Sequence, residues 1–253
     1  MYRFTLALAC LALAVTSAPA PGGIIVWDFN PAGVNKTVKT AVVMPGGKTK
    51  LVNSSTLTTH GSTTGLNPLD PTTPLVTVAG FNANHTAHTL FWKKVGKSER
   101  GIGLTGTRNN ELTLAKKGTT IANYLRVDMT APLALKWEDL TVSIFMHSVG
   151  KNSKTDQEMF DVWGSDSPDF GSATKLITAS AINGSFVSLP MDGGQYDKYY
   201  FITTSPLGKG HSSDNVILQS VKIEGTNPVP EPATLFGILG MAVPILRKRR
   251  AKA

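Results

Sequence analysis

Short runs in which apolar and polar side chains alternate dominate residues 21–228 of the chain, called the body below. Alternation with a period of two is typical of a β-strand that buries one face. Gly, Pro, Asn and Asp separate the runs, and these residue types favour turns. The pattern predicts about ten strands, in segments 25–29, 38–44, Leu75–Phe81, 89–95, 125–129, 140–146, Met159–Ser165, 175–180, 185–189, Tyr199–Thr204 and 216–224.

The body contains no run of ten or more residues with apolar positions at helical spacing. The sequence therefore predicts an all-β fold, an antiparallel β-sandwich of jelly-roll type. Two smaller all-β domains are the alternative, although no linker-like stretch lies near the middle. Residues 53–74 hold ten Ser or Thr and three Pro. Since so polar a stretch buries too little apolar area to offset its ordering entropy, we expect a flexible surface loop there.

The first 20 residues have the composition of a secretory signal peptide. Arg3 precedes an apolar run over residues 4–15, and small residues follow. Cleavage after Ala20 or after Ser17 fits the preference for small residues at such sites. Cys10 is the chain's single cysteine, so the body has no disulfide. We predict an N-terminal signal helix that is removed on export, and Cys10 as a lipid-attachment site is the less favoured alternative.

The C-terminal segment, residues 229–253, has three consecutive parts. Pro230, Glu231 and Pro232 are followed by residues 233–246, which carry no charge, and then by Arg247, Lys248, Arg249 and Arg250. As a helix, the apolar part would be about 21 Å long, which spans a bilayer only if flanking residues snorkel or the bilayer thins. The basic cluster resists translocation and stays on the cytoplasmic side of the membrane.

This ending resembles the PEP-CTERM sorting signal of exported bacterial proteins. The resemblance covers 229–250 and implies recognition and processing by an exosortase-type enzyme of the inner membrane. It also implies that Pro230, Glu231 and Pro232 form the recognition element. The protein would be anchored by a C-terminal transmembrane helix and then transferred to the cell surface or released. An ordinary single-span tail anchor is the alternative.

The net charge of +8 does not indicate nucleic-acid binding, because it is concentrated at the termini. Six of the 25 Lys and Arg residues lie outside the body, against one of the 17 Asp and Glu residues. A nucleic-acid-binding domain would place such an excess on its folded surface. We therefore exclude nucleic acid as a partner.

The second half of the body resembles sandwich domains that often precede PEP-CTERM signals. Residues 99–104, Asn110-Glu111-Leu112 and residues 124–128 are similar to that group's motifs, and residues 159–167 (MFDVWGSDS) resemble a strand of galactose-binding-like jelly rolls. The resemblance implies the fold and a binding module, and it transfers no site residue.

Strings that signal catalysis are weak in this sequence. Gly101, Gly103 and Gly106 match a dinucleotide-binding fingerprint, but turn-forming residues follow where a helix N-terminus is needed. His85 and His88 lack the spacing and the carboxylate of a zinc protease. No Gly-x-Ser-x-Gly or phosphate-loop string is present. We assign no catalytic or cofactor-binding residue.

An acidic segment is the one candidate metal site. Hard cations such as Ca²⁺ take six to eight oxygen ligands, which a loop rich in Asp and Ser can provide. Solvated charges that protect a strand edge are the favoured interpretation of the same residues. The candidate ligands are Asp156, Glu158, Asp161, Asp166 and Asp169.

Three functions are compatible with the sequence. The leading hypothesis is an exported, non-enzymatic cell-surface or extracellular-matrix protein. The first alternative is a carbohydrate-binding module for exopolysaccharide, with aromatic residues as a stacking platform. The second is a glycan-acting hydrolase, which needs two carboxyl groups in one cleft. Each of the large aromatics is expected to be a core residue, and Trp92, beside Lys93 and Lys94, is the best candidate for an exposed one; the set is Trp27, Trp92, Trp137, Trp163, Tyr196, Tyr199 and Tyr200.

Overall fold

A computed structural model describes most of the body. It covers residues 23–30, 32–63, 71–95, 99–113, 123–148, 159–180, 186–191, 193–205 and 216–226. Within these residues the chain forms fifteen β-strands, one α-helical turn and two 3₁₀ turns. The described part of the body is therefore mainly β-structure with almost no helix, as the alternating pattern predicts.

The strands are two to eleven residues long. They are β1 (Gly23–Asp28), β2 (Lys36–Thr37), β3 (Lys39–Val43), β4 (Thr49–Asn53), β5 (Thr56–His60), β6 (Leu75–Phe81), β7 (Leu90–Val95), β8 (Glu99–Leu104), β9 (Tyr124–Asp128), β10 (Glu138–Ser148), β11 (Met159–Ser165), β12 (Thr174–Ser180), β13 (Phe186–Ser188), β14 (Tyr199–Thr204) and β15 (Val216–Thr226). The helical turn is α1 (Thr130–Leu133), and the 3₁₀ turns are Arg108–Asn110 and Phe170–Ser172.

Thirteen of these strands form two antiparallel sheets. The first sheet has the order β13-β10-β15-β8-β7-β2, and β1 also pairs with β15. The second sheet has the order β12-β11-β14-β9-β6-β5. The two remaining strands, β3 and β4, pair with each other as a separate hairpin.

One hydrophobic core joins the inner faces of the two sheets in a sandwich-like arrangement. From the first sheet it takes Trp27, Ile144 and Ile223, and from the second Val78 and Ile202, with many neighbours of the same kind. All five are at most 1% exposed. Burying a side chain of this size contributes about 1.5–3 kcal/mol, so this core is the main source of stability.

The predicted alternation holds along the central strands. In β9, Leu125 and Val127 point into the core, and Arg126 lies between them on the outer face. In β14, Tyr200 and Ile202 point inward in the same way. The bounds predicted for β6, β11 and β14 are confirmed residue for residue.

The prediction of a continuous loop over residues 53–74 is wrong at β5. Thr56–His60 pair with β6 along their whole length, and the Thr58 and Thr77 hydroxyls lie 2.8 Å apart on neighbouring strands. Thr has high β-propensity and pairs well across strands, so a Thr-rich segment can join a sheet edge without burying much apolar area. Residues 64–70 lie outside the described residues.

The second predicted strand departs from the expected burial. Val38 is buried, but the residues expected to share its buried face are exposed, namely Thr40, Val42 and Met44. The reason is that the chain leaves the two-sheet body after Val38 and forms the β3–β4 hairpin. Residues 39–53 are called the arm below.

The predictions for the two termini lie outside the described residues. They concern the signal helix at 1–20, the sorting residues 230–232 and 247–250, and the apolar span 233–246. Across the described ranges, no helix has the length and apolar character that crossing a bilayer requires.

Candidate functional site

Three connections between strands meet in an open groove. The β9–β10 connection provides α1 and Trp137, the connection after β11 provides Asp166, and the segment between β13 and β14 provides Gln195 and Tyr196. The groove has a volume of about 710 Å³, which is within the range of small-molecule sites. All of its lining residues belong to the described part of the chain.

The position of Trp137 depends on a pair of glycines. Gly23 of β1 and Gly225 of β15 face each other across the sheet. A Cβ atom on Gly23 would lie 2.6 Å from Trp137 Cη2, and one on Gly225 would lie 3.0 Å from Trp137 Cβ. The missing side chains therefore make room for the indole ring. Trp137 is half-buried, packing against the core with part of its surface and lining the groove with the rest.

Strained backbone flanks Trp137 on both sides. Lys136 has φ 51° and Asp139 has φ 49°, both in the left-handed region. The pairing of β10 with β15 is also interrupted between Glu138 and Thr141. A non-glycine residue in this region costs about 1–3 kcal/mol, and such strain is concentrated at functional sites. Both side chains line the groove.

Tyr196 and an exposed ion pair also line the groove. Gly193 and Gly194 adopt positive φ values of 55° and 84° just before Tyr196. The ion pair joins Lys198 Nζ to Asp166 Oδ1 at 3.5 Å, and both side chains are largely exposed. The groove thus combines two aromatic side chains with positively charged, negatively charged and amide groups.

Such a lining suits a polar ligand with apolar faces. Aromatic rings provide flat contact area, and a few polar groups fix orientation and specificity. A sugar ring has C–H groups on its faces and hydroxyls at its rim, so it matches both requirements. The further lining residues are Thr130, Leu133, Ala134, Leu140, Met191 and Gly194.

The predicted metal ligands take separate roles where the structure describes them. Asp161 is buried, pairs with Lys175 Nζ at 2.9 Å and accepts a 2.7 Å hydrogen bond from the Thr178 hydroxyl. Asp169 caps the 3₁₀ turn Phe170–Ser172 by accepting from Gly171 N at 3.0 Å. Asp166 faces the groove.

No three His, Cys, Asp or Glu side chains converge on a cation-sized space within the described ranges. Asp161, Asp166 and Asp169 therefore do not form a calcium site by themselves. Asp156 and Glu158 lie outside those ranges, so a calcium site that includes them stays a prediction.

The glycine string and the histidine pair both have structural roles. Gly101 and Gly103 lie in β8, where Cβ atoms would approach Leu218 O to 2.5 Å and Asn110 O to 2.3 Å. The backbone of neighbouring segments thus excludes any side chain at both positions. His88 Nε2 donates to Thr105 O at 2.7 Å, and the His85 ring contacts Tyr124 instead.

A second aromatic cluster covers the outer face of the second sheet. Tyr124 stacks on Phe81 and on Phe170, with centroid distances of 5.0 and 4.8 Å. His85 Nδ1 and the Tyr124 hydroxyl share a 3.0 Å hydrogen bond. Burial raises the pKa of Tyr124 to about 12. The cluster is packed closely, which favours a stabilising role over a ligand site.

Of the four tryptophans, only Trp27 is fully buried. Trp163 is half-buried and packs against Phe170. Trp92, the best candidate for exposure, is also half-buried: it packs against the core, and Lys36 Nζ lies 5.2 Å from its ring centre. Trp137 is the tryptophan that lines the groove. Sequence reasoning missed the groove because its walls come from three connections far apart in the chain.

No known protein-family model matches the chain, and no curated protein is significantly similar to it in sequence.

Proposed function

We propose that this chain is an exported, non-enzymatic protein of the cell surface or extracellular matrix, sorted through a PEP-CTERM ending. The support is the order of three features at the C-terminus: Pro230-Glu231-Pro232, an uncharged span at 233–246 and a basic cluster at 247–250. The partners in sorting are an exosortase-type enzyme and the inner membrane. The signal at 1–20 directs the body across that membrane.

The body itself binds extracellular polysaccharide in the groove. The observation that carries this proposal is the pairing of Trp137 and Tyr196 with Lys136, Asp139 and Gln195 around one open space. An open groove leaves both ends of a polymer free to continue into solvent, whereas a closed cavity admits only a small molecule. A surface protein with such a groove would be retained in the matrix by binding it.

The finer fold assignment agrees with this proposal. We infer a jelly roll of the galactose-binding-like kind, supported by the two antiparallel sheets and by the motif at 159–167. In sandwich folds, loops at the ends of the sheets commonly form binding sites, since the strands hold them rigidly. The groove is built from such connections.

Glycan hydrolysis is the second candidate, because two carboxylates line the same groove. Asp139 and Asp166 both face it, and glycosidases use a pair of carboxyl groups. A general acid is kept protonated by apolar surroundings. Asp166 has a side chain that is 72% exposed and pairs with Lys198. An exposed carboxylate of this kind can accept hydrogen bonds from sugar hydroxyls.

The experiment is a glycan array probed with the full chain, followed by titration with the best ligand. We expect Tyr196→Ala to weaken binding about 10-fold, the effect of losing one aromatic contact worth about 1.4 kcal/mol. Asp139→Asn should also weaken binding, because it removes an acceptor for sugar hydroxyls. Phe186→Ala is the matched control, since Phe186 is an exposed aromatic that does not line the groove.

Release of reducing ends from the bound glycan separates the two candidates. We expect the glycan to be bound with no release of reducing ends. Of the two aromatic variants, only Tyr196→Ala should lose glycan affinity. Equal loss in Tyr196→Ala and Phe186→Ala would contradict the groove as the site. Release of reducing ends that stops in Asp139→Asn would establish the hydrolase instead.

A further inference from the structure

The arm leaves the body where the edges of the two sheets meet. Its first strand follows β2, which pairs with β7 of the first sheet, and its second strand leads into β5 of the second sheet. At the base, Val38 N donates to Leu90 O, Leu90 N to Ser54 O and Ser54 N to Val38 O, each at 2.9 Å. Two of these backbone hydrogen bonds thus fix the base to β7, and the third joins the two ends of the base to each other.

Beyond its base the arm is exposed on both faces. Its two strands pair with each other from Lys39↔Asn53 to Val43↔Thr49, and the turn contains Gly46 and Gly47 at positive φ. Among the described residues, no other strand pairs with either edge of the arm. A two-stranded hairpin alone is marginally stable in water, so an arm of this length gains from a partner surface.

Large apolar side chains project from the arm into solvent. Val43 is 72% exposed and Leu51 is 62% exposed. They lie on one face with Ala41, because Ala41 pairs with Leu51 and Val43 is two residues further along its strand. Val42 and Met44 are exposed on the other face. A contiguous exposed apolar surface of this kind marks an interaction site.

The charges of the arm are all positive. Lys39, Lys48 and Lys50 are exposed, and residues 29–69 contain no Asp or Glu. The body as a whole is nearly balanced in charge, so this basic segment is a local feature. It requires a partner surface that is negatively charged.

We propose that the arm binds the surface of a bilayer that contains anionic phospholipids. Apolar side chains enter the boundary between headgroups and acyl chains, and nearby lysines pair with the anionic headgroups. A second copy of the chain fits less well, because lysines on strand edges oppose edge-to-edge pairing. A soluble acidic polysaccharide would account for the lysines but leave Val43 and Leu51 in water, and the arm has no aromatic side chain for sugar stacking. This proposal does not depend on polysaccharide binding in the groove.

The test places an environment-sensitive fluorophore on the arm of the full chain. In a Cys10→Ser background, Val43→Cys carries the probe, and since Val43 is exposed the change leaves the core intact. Thr174→Cys, on the exposed start of β12, carries it in the control. The fluorophore responds only to the polarity of its immediate surroundings. Attachment of the chain to the membrane through residues 233–246 therefore does not by itself shift the emission of a probe at position 43.

We expect a blue shift from the Val43→Cys probe with vesicles of phosphatidylglycerol and phosphatidylcholine, and none with phosphatidylcholine alone. The Thr174→Cys probe should not shift with either. The double variant Lys48→Gln, Lys50→Gln should lower the ratio of inserted to free arm about 30-fold, because each lysine contributes about 1 kcal/mol of attraction to an anionic surface. Lys198→Gln with Lys222→Gln, which removes equal charge elsewhere, should leave the ratio unchanged. Leu51→Ser should reduce the shift without altering its salt dependence.

Four results would overturn the proposal. These are an equal shift with neutral vesicles, no shift with anionic vesicles, a shift with dextran sulfate and no lipid, or a shift that grows with protein concentration alone. The third would assign the arm to acidic polysaccharide, and the fourth to a second copy of the chain.

Discussion

Arg100 Nη2 lies 2.7 Å from Asp28 Oδ2, and this ion pair links β8 to the end of β1. Asp28 is almost fully buried, while the guanidinium keeps partial contact with water. The other carboxylate oxygen accepts from Asn30 N at 2.9 Å. The carboxylate is therefore satisfied on both oxygens, and the pair connects two strands that both border β15.

Removing the arginine should destabilise the body strongly. Arg100→Gln leaves the buried carboxylate without its counter-charge, and we expect a loss of about 3 kcal/mol in the free energy of unfolding. Lys198→Gln is the control, since its pair with Asp166 is exposed and should be worth less than about 1 kcal/mol. Chemical denaturation followed by circular dichroism measures both. Similar losses in the two variants would contradict a special role for the buried pair.

The same carboxylate should make stability depend on pH. Burial raises the pKa of Asp28 above its ordinary value of 3.8, against the opposing effects of the Asn30 amide and Arg100. The native state then holds this proton more tightly than the unfolded state does, so stability falls as the pH rises from 3.8 through the native pKa. Below 3.8 the group is protonated in both states, so its contribution to stability is fully present there and no longer varies with pH.

Asp28→Asn tests that sign. We expect the free energy of unfolding of the wild-type protein, minus that of the variant, to fall as the pH is raised from below 3.8 to neutral. Denaturant unfolding at a series of pH values measures both. If the wild-type protein instead gains stability relative to Asp28→Asn over that interval, the pairing with Arg100 outweighs burial and lowers the pKa.

Two glycine substitutions test whether close packing, and not backbone flexibility, requires a glycine at position 101. In Gly101→Ala the new methyl group would meet the Leu218 carbonyl at 2.5 Å, a backbone atom that cannot move aside cheaply. We expect a loss of about 1–3 kcal/mol and a lower melting temperature. Gly171→Ala is the matched control, because its nearest contact would be an ordinary 3.5 Å to the Asp169 side chain. A dinucleotide role for Gly101 would instead predict lost nucleotide binding with unchanged stability.

The strand positions could be predicted from the sequence because burial on one face leaves a period of two in the residues themselves. In β10, the core residues Val142, Ile144 and Met146 alternate with Thr141, Ser143 and Phe145. The arm shows the same pattern at Thr40, Val42 and Met44, yet it points into solvent. Alternation records which residues share a face, and it does not say whether another sheet or an external surface covers that face.

The groove could not be predicted because its geometry depends on long-range packing. Trp137 is held by glycines 114 and 88 positions away, Gly23 and Gly225. The left-handed conformation of Lys136 leaves no mark in the sequence, since lysine is not a residue type that favours it. The sequence signal that could have drawn attention to the region is Gly193-Gly194, two turn-forming residues just before Tyr196.

The central claim is that the chain is delivered to the cell surface and processed at its C-terminal segment. Its most direct test is mass spectrometry of the C-terminal peptide of protein recovered from the surface of the producing cell. We expect mature protein to end near Pro230, Glu231 and Pro232, without the basic cluster. Glu231→Ala should leave the protein in the membrane uncut, because insertion depends on the apolar span. Surface protein that still ends in Lys252 and Ala253 would contradict processing and leave an ordinary tail anchor.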